Sequence, residues 1–478
     1  QALKHDVPAY ILAYEEGRLS KFGPQGGYPA WSDVEDLFLK YKTSHKPVKL
    51  VDQEIIAEMK RDYSLLRCSK YSVDGALEHL KKTDKIEDRA AGDPTFNLKK
   101  TDPEAQRIAT MLVKSGKWKD LKGYTFEKWQ KQKPRIFMPM PFASMIKQAQ
   151  YFIPFLGNIQ RDLLEKGTNS PFVAWADKIG FTQNCFPMLE REIRNKLKGR
   201  TLVWYKTDFE KMDTHTASDQ YDKFFIPMIQ ASFHGLDKDE IRETMLYTTT
   251  ADIISPTGTL TGDHGTASGA EVTNGGECCG NDYYQRRLLK ILKGYCLKRQ
   301  IKYDVITRRL NGDDGILVFA LEDDNQYETF KKLILDAAER ASDETQFVIQ
   351  VEKQEVSKEY TTYCQFMIWW DGILHYAYPT ALCLNSIINP MKEYSPSEWD
   401  KDYRDIDVIE KLDNCSTHPW FHDLIKYVAK GMRYPLLGSK EKETARILSK
   451  YDKYRSMQSL GERYNRQDYD ISQSPTVS

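Results

Sequence analysis

The sequence predicts an α+β protein, and three observations carry that reading. A mixed apolar and basic run, Val305–Leu310, and a wholly apolar run, Ile316–Ala320, flank the tight segment Asn311-Gly312-Asp313-Asp314-Gly315, as in a β-hairpin whose second strand is buried on both faces. A further strand pattern, Leu202–Thr207, runs into Asp208. Beyond about residue 371 the apolar spacing becomes helical.

The remaining elements follow in order. Residues 1 to about 198 read as mixed helix and loop, rich in lysine and aromatic side chains, with prolines between Lys131 and Pro141 that forbid a continuous helix. Tyr221, Phe224, Phe225, Met228 and Ile229 keep helical spacing, which Pro227 should end or kink. Seven of the 27 glycines lie between Gly258 and Gly280, a loop-forming density that precedes a helical pattern through Leu288, Leu289 and Leu292. Phe347–Val351 and Tyr360–Trp370 read as strands, and Asp323-Asp324 as an ordinary acidic hairpin turn. Near the end, Thr417 can cap a helix with Pro419 in its first turn, Phe421, Leu424, Ile425 and Val428 on its apolar face, and Gly431 closing it. Ser472–Ser478 reads as a disordered tail. No solenoid or propeller repeat is present.

With 478 residues the chain accommodates two or three domains or one large multi-lobed enzyme. At 40% hydrophobic and 29% charged residues, it has the composition of a globular protein. Its 69 basic and 69 acidic residues cancel, so any electropositive surface for nucleic acid has to be local. Eight scattered cysteines include no CxxC pair, and Cys278-Cys279 are adjacent, which favours free thiols in a reducing compartment. Val7–Tyr14 is flanked by acids and lacks a basic lead, unlike a signal peptide, and no stretch is long enough to cross a bilayer. Nine histidines without HExxH spacing argue against zinc.

Chemistry centres on the hairpin. Two carboxylates about 4 Å apart repel by roughly 4 kcal/mol at an effective dielectric near 20, a penalty that a divalent cation between them removes. A plain acidic turn is the alternative. A metal pair also needs a carboxylate from another strand, and Asp208 is the best placed; Asp213 follows where the chain turns into a helix. Alone, Asp208 would equally suit a helix cap. Ser268-Gly269-Ala270-Glu271-Val272-Thr273-Asn274 supplies a glycine between hydroxyls at a helix start, fit either to grip a nucleic-acid backbone and ribose or simply to cap the helix.

In this order, Asp208-x-x-x-x-Asp213, Ser268-Gly269-x-x-x-Thr273-Asn274 and Gly312-Asp313-Asp314 resemble the palm motifs A, B and C of viral RNA-dependent RNA polymerases. Asp208-Phe209-Glu210-Lys211-Met212-Asp213 and the Thr273-Asn274 pair look most like the picobirnavirus and partitivirus enzymes of double-stranded RNA viruses. The resemblance implies a right hand of fingers, palm and thumb, with an antiparallel sheet in the palm, flanking helices, closing fingertips and a helical thumb. Residues 1–198 would form the fingers with an N-terminal extension, 199–370 the palm with an inserted fingers segment at about 217–260, and 371–478 the thumb and tail.

Further positions match. Lys133-Pro134-Arg135-Ile136 is similar to the basic finger strand that holds the triphosphate, otherwise plain surface charge. Lys353 resembles the motif D lysine that protonates departing pyrophosphate, with Lys358 as its rival. Tyr360–Trp370 resembles the hairpin between palm and thumb that supports the primer. These matches span roughly residues 130–370. One departure concerns the ribose site: Glu277 stands where many positive-strand polymerases carry asparagine, leaving Asn274 or Asn281 for that part, or Asp213, Ser268 and Thr273 alone.

What the resemblance implies is template-directed RNA synthesis with two Mg²⁺ ions, for which Mn²⁺ can substitute, held by Asp208, Asp313 and Asp314. The implied partners are RNA template, nascent RNA, NTPs and a capsid protein, and the implied location is the virion interior and host cytoplasm. Basic positions from Arg286 to Arg309 and from Lys114 to Arg135 are candidates for the positive channel, or are solvated helix faces. A reverse transcriptase, a metal-dependent nuclease and a non-catalytic viral RNA-binding or capsid protein are the competing readings.

Overall fold

The computed structural model describes residues 8–82, 90–130, 132–165, 185–270, 272–390 and 401–432; the expected tail at Ser472–Ser478 lies outside them. Among the described residues twelve strands run in chain order: β1 (Gly123–Tyr124), β2 (Phe126–Gln130), β3 (Lys133–Phe137), β4 (Thr201–Thr207), β5 (Ile253–Ser255), β6 (Gly258–Leu260), β7 (Tyr303–Asn311), β8 (Asp314–Leu321), β9 (Glu355–Ser357), β10 (Tyr360–Tyr363), β11 (Phe366–Trp370) and β12 (Leu374–Ala377). They form sheets ordered β7-β8-β4-β9, β10-β11-β12, β1-β5-β6 and the hairpin β2-β3. All pairings are antiparallel except β1 with β5.

The four-stranded sheet is covered on both faces, which explains the unbroken apolar run of β8. Leu317, Phe319 and Leu321 face a core shared with the helices Thr273–Arg299 and Tyr327–Thr345. Ile316, Val318 and Ala320 face a second core with the helix Phe186–Leu197, the β10–β12 sheet and helices Lys401–Asp413 and Phe421–Val428. A third core joins the helices Glu35–Thr43, Val73–Lys82, Pro103–Lys114 and Phe142–Glu165. The helix Ala9–Leu19 crosses the chain's whole length in sequence: its buried Glu15 accepts from Thr380 N (2.8 Å) and Ala381 N (3.1 Å), capping the helix Thr380–Ile388 from outside. Among the described residues no helix is long and apolar enough to cross a membrane.

Several expectations need correction. Pro227 does not end its helix; a π-turn, Tyr221–Phe225, precedes it, and Pro227 sits in the first turn of Ile226–Ser232, where no backbone N–H is needed. The glycine-dense segment is loop only as far as Val272, because Gly275, Gly276 and Gly280 lie inside the helix Thr273–Arg299. Phe347–Val351 makes one bridge, Phe209 to Ile349, rather than a strand. Tyr360–Trp370 is not one strand but a hairpin, as the resemblance implies, folding back at Cys364-Gln365, both at positive φ, into β10 and β11. Asp323 caps a 3₁₀ turn by accepting from Asn325 N (3.0 Å), so it is not a hairpin acid. The helix Phe421–Val428 begins without a side-chain cap, and Thr417 precedes it by four residues.

Candidate active site

The β4–β8 register assembles the acids. Thr207 pairs with Gly315, so Asp208, just beyond β4, and Asp314, which opens β8, reach the same edge of the sheet. Gly312 turns the hairpin at φ +62°. Asp313 keeps solvent access at the tip, with protein on its other sides. Its carboxyl is pushed up to about 7, by burial first, then by Asp314 and more weakly by Asp213 and Asp208. All four acids therefore act on one place. Asp208 is additionally held from the segment before β9: its carbonyl accepts from Gln350 N (3.1 Å) and Gln354 Nε2 (2.8 Å), while its carboxylate lies 3.6 Å from Lys206 Nζ.

The described residues contain no ready cage of three or more His, Cys, Asp or Glu side chains. The donor set nevertheless fits a hard divalent cation. It consists of carboxylate oxygens from two strand ends, and their crowding disfavours the charge on Asp313.

Asp213 lies in a single helical turn, Met212–His215. Tyr41 O–H donates to its Oδ2 (2.5 Å) and Thr214 N to its Oδ1 (2.8 Å), which fixes the carboxylate. Its carbonyl accepts from Thr266 N (2.7 Å), tying it to the loop that carries Ser268. Glu277 faces the same region: burial, then the charges of Asp313 and Asp213, pushes its carboxyl well above the ordinary range.

The Ser268 loop docks on the basic strand. Gly269 bridges Pro139, and Ser268 Oγ donates to Ile136 O at 3.5 Å. Serine does not cap the helix; Val272 occupies that position, and Thr273 Oγ1 instead donates back to Ala267 O (2.8 Å). Asn274 Nδ2 donates to Asn311 Oδ1 (3.4 Å) at the acidic turn. Asn281 is fully buried and donates to Gly312 O (3.0 Å), so it supports the turn and does not face a ribose.

On the hairpin β2-β3, the pairs Phe126–Phe137, Lys128–Arg135 and Gln130–Lys133 share one face. Lys133 and Arg135 are exposed, and Lys128 Nζ lies 3.9 Å from the Phe137 ring centre. The pKa of exposed Lys211 is lowered by partial burial first and then by Lys40, with Glu210 and Asp213 opposing the shift and Arg135 adding to it less, so charges of both signs meet beside Asp213. Lys353 closes a 3₁₀ turn, Val351–Lys353, just before β9, and the residues flanking that turn, Gln350 and Gln354, hold the Asp208 carbonyl. Lys358 lies toward the other end and pairs with Asp324 (2.9 Å).

The first proposed basic cluster divides: Lys293, Lys298, Arg299 and Lys302 are exposed, as on a solvated face, while its other arginines are held in ion pairs. Arg286 pairs with Glu58, Asp62 and Asp282, Arg287 with Asp52 and Glu344, Arg308 with Asp282, and Arg309 with Glu192. In the second, Lys114, Lys119 and Lys122 pair with Asp74, Glu243 and Asp252. Sequence reasoning missed Tyr41, Lys40, Lys211 and Cys278. No local motif marks the first two, although Lys211 lies within the quoted Asp208–Asp213 segment.

No protein-family profile and no curated protein matches the sequence. Solved structures do. The crystal structure of the RNA-dependent RNA polymerase of a human picobirnavirus matches with TM-score 0.69 and 17% identity, covering 97% of this chain and 85% of that one. An insertion-loop deletion mutant of such a polymerase, also from a human picobirnavirus, gives 0.66 and 15%, with 95% and 87% covered. The chain thus has the fold of the group that its motifs resemble.

Proposed function

We propose that the chain is a viral RNA-dependent RNA polymerase, adding nucleotides from NTPs to an RNA 3′-hydroxyl under the direction of an RNA template. The observation that carries this reading is the β4–β8 register, which delivers Asp208 and Asp313-Asp314 from distant segments to one sheet edge. Under this reading residues 1–198 are fingers, 199–370 palm with an inserted fingers segment near 217–260, and 371–478 thumb and tail, with fingertips closing the hand.

Asp208, Asp313 and Asp314 would hold two Mg²⁺ or Mn²⁺ ions, which when bound supply Lewis acidity at the primer hydroxyl and neutralise triphosphate charge. The chain's own residues do the rest. Lys133 and Arg135, with Lys40 and Lys211 nearby, bind the phosphates. Asp213, immobilised by Tyr41 and Thr214, presents a fixed acceptor to the ribose hydroxyls, with Ser268, Gly269, Thr273 and Asn274 shaping the pocket. Lys353 gives a proton to the pyrophosphate oxygen as it departs. Action in the virion interior and host cytoplasm, beside a capsid protein, belongs to the same proposal.

Extension of an RNA primer on an RNA template tests it. Divalent-dependent incorporation of ribonucleotides supports the proposal, and incorporation of deoxyribonucleotides instead would make the chain a reverse transcriptase. RNA binding without any incorporation would make it a non-catalytic RNA-binding protein.

A further inference from the structure

The helix Thr273–Arg299 presents Asn274, Cys278, Asn281 and Gln285 at intervals of four, three and four residues, which is one helical face. That face is laid along the acidic turn. Gly312 N donates to Cys278 Sγ (3.0 Å), and the thiol in turn donates to Asn274 Oδ1 (3.6 Å). Asn281 Nδ2 donates to the carbonyls of Gly312 (3.0 Å) and Asp314 (3.4 Å). At Gly315 an added Cβ would stand 2.8 Å from Gln285 Nε2 and 3.1 Å from Asn281 Nδ2. At Gly312 it would stand 2.9 Å from Asn274 Nδ2. The glycines on either side of the acid pair therefore have a tertiary reason: each keeps the turn bare so that helix side chains can grip its backbone.

Stability does not account for this arrangement. Gln285 is wholly buried, and neither of its amide atoms has a hydrogen-bond partner among the described residues; Asn281 Oδ1 is in the same position. Burying unpaired amides is unfavourable, and an apolar side chain of similar size would pack there at less cost. Polar groups kept at such a penalty against a reactive turn point to a functional requirement.

We infer that Cys278, Asn281 and Gln285 are positioning residues that set the height of Asp313 and Asp314 above the sheet edge where Asp208 stands. The inference rests on the polymerase reading above, and it adds residues that touch neither substrate nor reacting atoms.

The test uses the full chain carrying Asn281→Leu, Gln285→Leu, Cys278→Val or Cys278→Ser. Three quantities are measured: primer extension at varied NTP, Mn²⁺ affinity by electron paramagnetic resonance without nucleotide, and melting temperature. A displacement of about 1 Å can cost on the order of 100-fold, so Asn281→Leu should lower kcat by about 10- to 100-fold with KM for NTP within about twofold. Its Mn²⁺ affinity should fall by about fivefold or more. Gln285→Leu should lower kcat by about tenfold while its melting temperature stays level or rises, a combination that a merely structural role forbids. Cys278→Ser, which keeps an acceptor for Gly312 N, should stay within about threefold of the wild type, while Cys278→Val loses about tenfold. Folded variants with wild-type kcat and Mn²⁺ affinity overturn the inference. If Asn281→Leu does not fold, Gln285→Leu decides. If the wild type extends no RNA, the polymerase reading fails and the Mn²⁺ comparison alone decides whether the helix positions the acids.

Discussion

Gly269→Ala is the sharpest test of how the site is assembled. A Cβ at Gly269 would stand 2.9 Å from the Met138 carbonyl carbon and closer still to its oxygen, and 3.1 Å from Pro139 Cα. These are backbone atoms, so no rotamer change relieves the overlap. Ordinary contact begins at 3.4 Å, and the loop must therefore retreat from the strand by about 0.5–1 Å, a displacement that costs up to about 100-fold where reacting groups are aligned. Retreat breaks the Gly269–Pro139 bridge and moves Ser268 away from the strand that carries Lys133 and Arg135. We expect kcat/KM for NTP incorporation to fall by about 30- to 100-fold in primer extension, with an overpacking cost of about 1–3 kcal/mol in thermal or urea unfolding. Gly17→Ala, in a helix with nothing within 4 Å of the new Cβ, is the matched control and should extend RNA at the wild-type rate. Wild-type kcat/KM in folded Gly269→Ala would refute the claim that loop and basic strand form one substrate-binding unit.

Three further outcomes are expected. Asp313→Asn should reduce incorporation by at least about 1,000-fold in primer extension while leaving RNA affinity by fluorescence anisotropy within about twofold; near-normal extension would remove Asp313 from the metal site. Arg135→Ala deletes a charge-assisted phosphate contact and should raise KM for NTP by about 10-fold or more with little change in kcat, whereas an unchanged KM returns Arg135 to plain surface charge. Glu240 bonds Lys70 (2.7 Å) and Lys147, and these contacts outweigh its burial and hold its carboxyl down at about 2 from an ordinary 4.5, while burial of Lys147 pulls that ammonium down despite the pairing. A depressed carboxyl stabilises the fold fully above 4.5 and loses that contribution as pH falls toward 2. With the side chain 33% exposed, screening reduces the nominal 3 kcal/mol to about 1–2 kcal/mol. Glu240→Gln should therefore cost that much in urea unfolding at pH 7 and clearly less at pH 3; equal losses at both would sink the argument.

Much of this site was legible because its signals are local. The apolar run of β8 and the glycine-flanked acids announce a buried strand and a turn, and Leu202–Thr207 announces the strand that ends at Asp208. The motif order then links three segments that no single spacing would. What failed was every inference in which a distant partner overrides a local preference. Glycine weakens helices, so Gly275, Gly276 and Gly280 read as loop; in the fold a Cβ at these positions would meet the rings of Phe152 (2.7 Å), Tyr221 (2.9 Å) and Phe347 (2.6 Å). Phe347 explains a second miss. Its ring fills the space that Gly280 leaves, and the following residues pair only briefly, with Glu210 N donating to Val348 O (2.8 Å) and Gln350 N to Asp208 O (3.1 Å). An apolar run of strand character is thus a brace for the Asp208 segment. Tyr41 could not be found at all, since it reaches Asp213 across 172 residues of sequence.

Charge shows how far a balanced composition can mislead. The equal numbers of acids and bases do not reflect an even mixture over the surface. Buried and half-buried pairs around Asp52, Asp282, Glu192 and Glu344 hold Arg286, Arg287, Arg308 and Arg309, which fix helices to one another and to the sheet instead of meeting solvent. Those pairs are expensive to break, because removing one partner strands a charge in low dielectric. One edge of the β7-β8-β4-β9 sheet carries a charge cluster of its own. Asp208, Asp213, Asp313 and Asp314 gather there, and beside them burial first, then Lys40 and Arg135, lowers the pKa of Lys211. Two opposed fields side by side suit a substrate that is itself a polyanion carried with cations: the bases draw the phosphates, and the acids draw the metal that accompanies them. A protein that merely coats RNA would need the positive field alone, since carboxylates facing the backbone would weaken it. Crowded acids next to bases are the arrangement that the proposed nucleotide transfer would use.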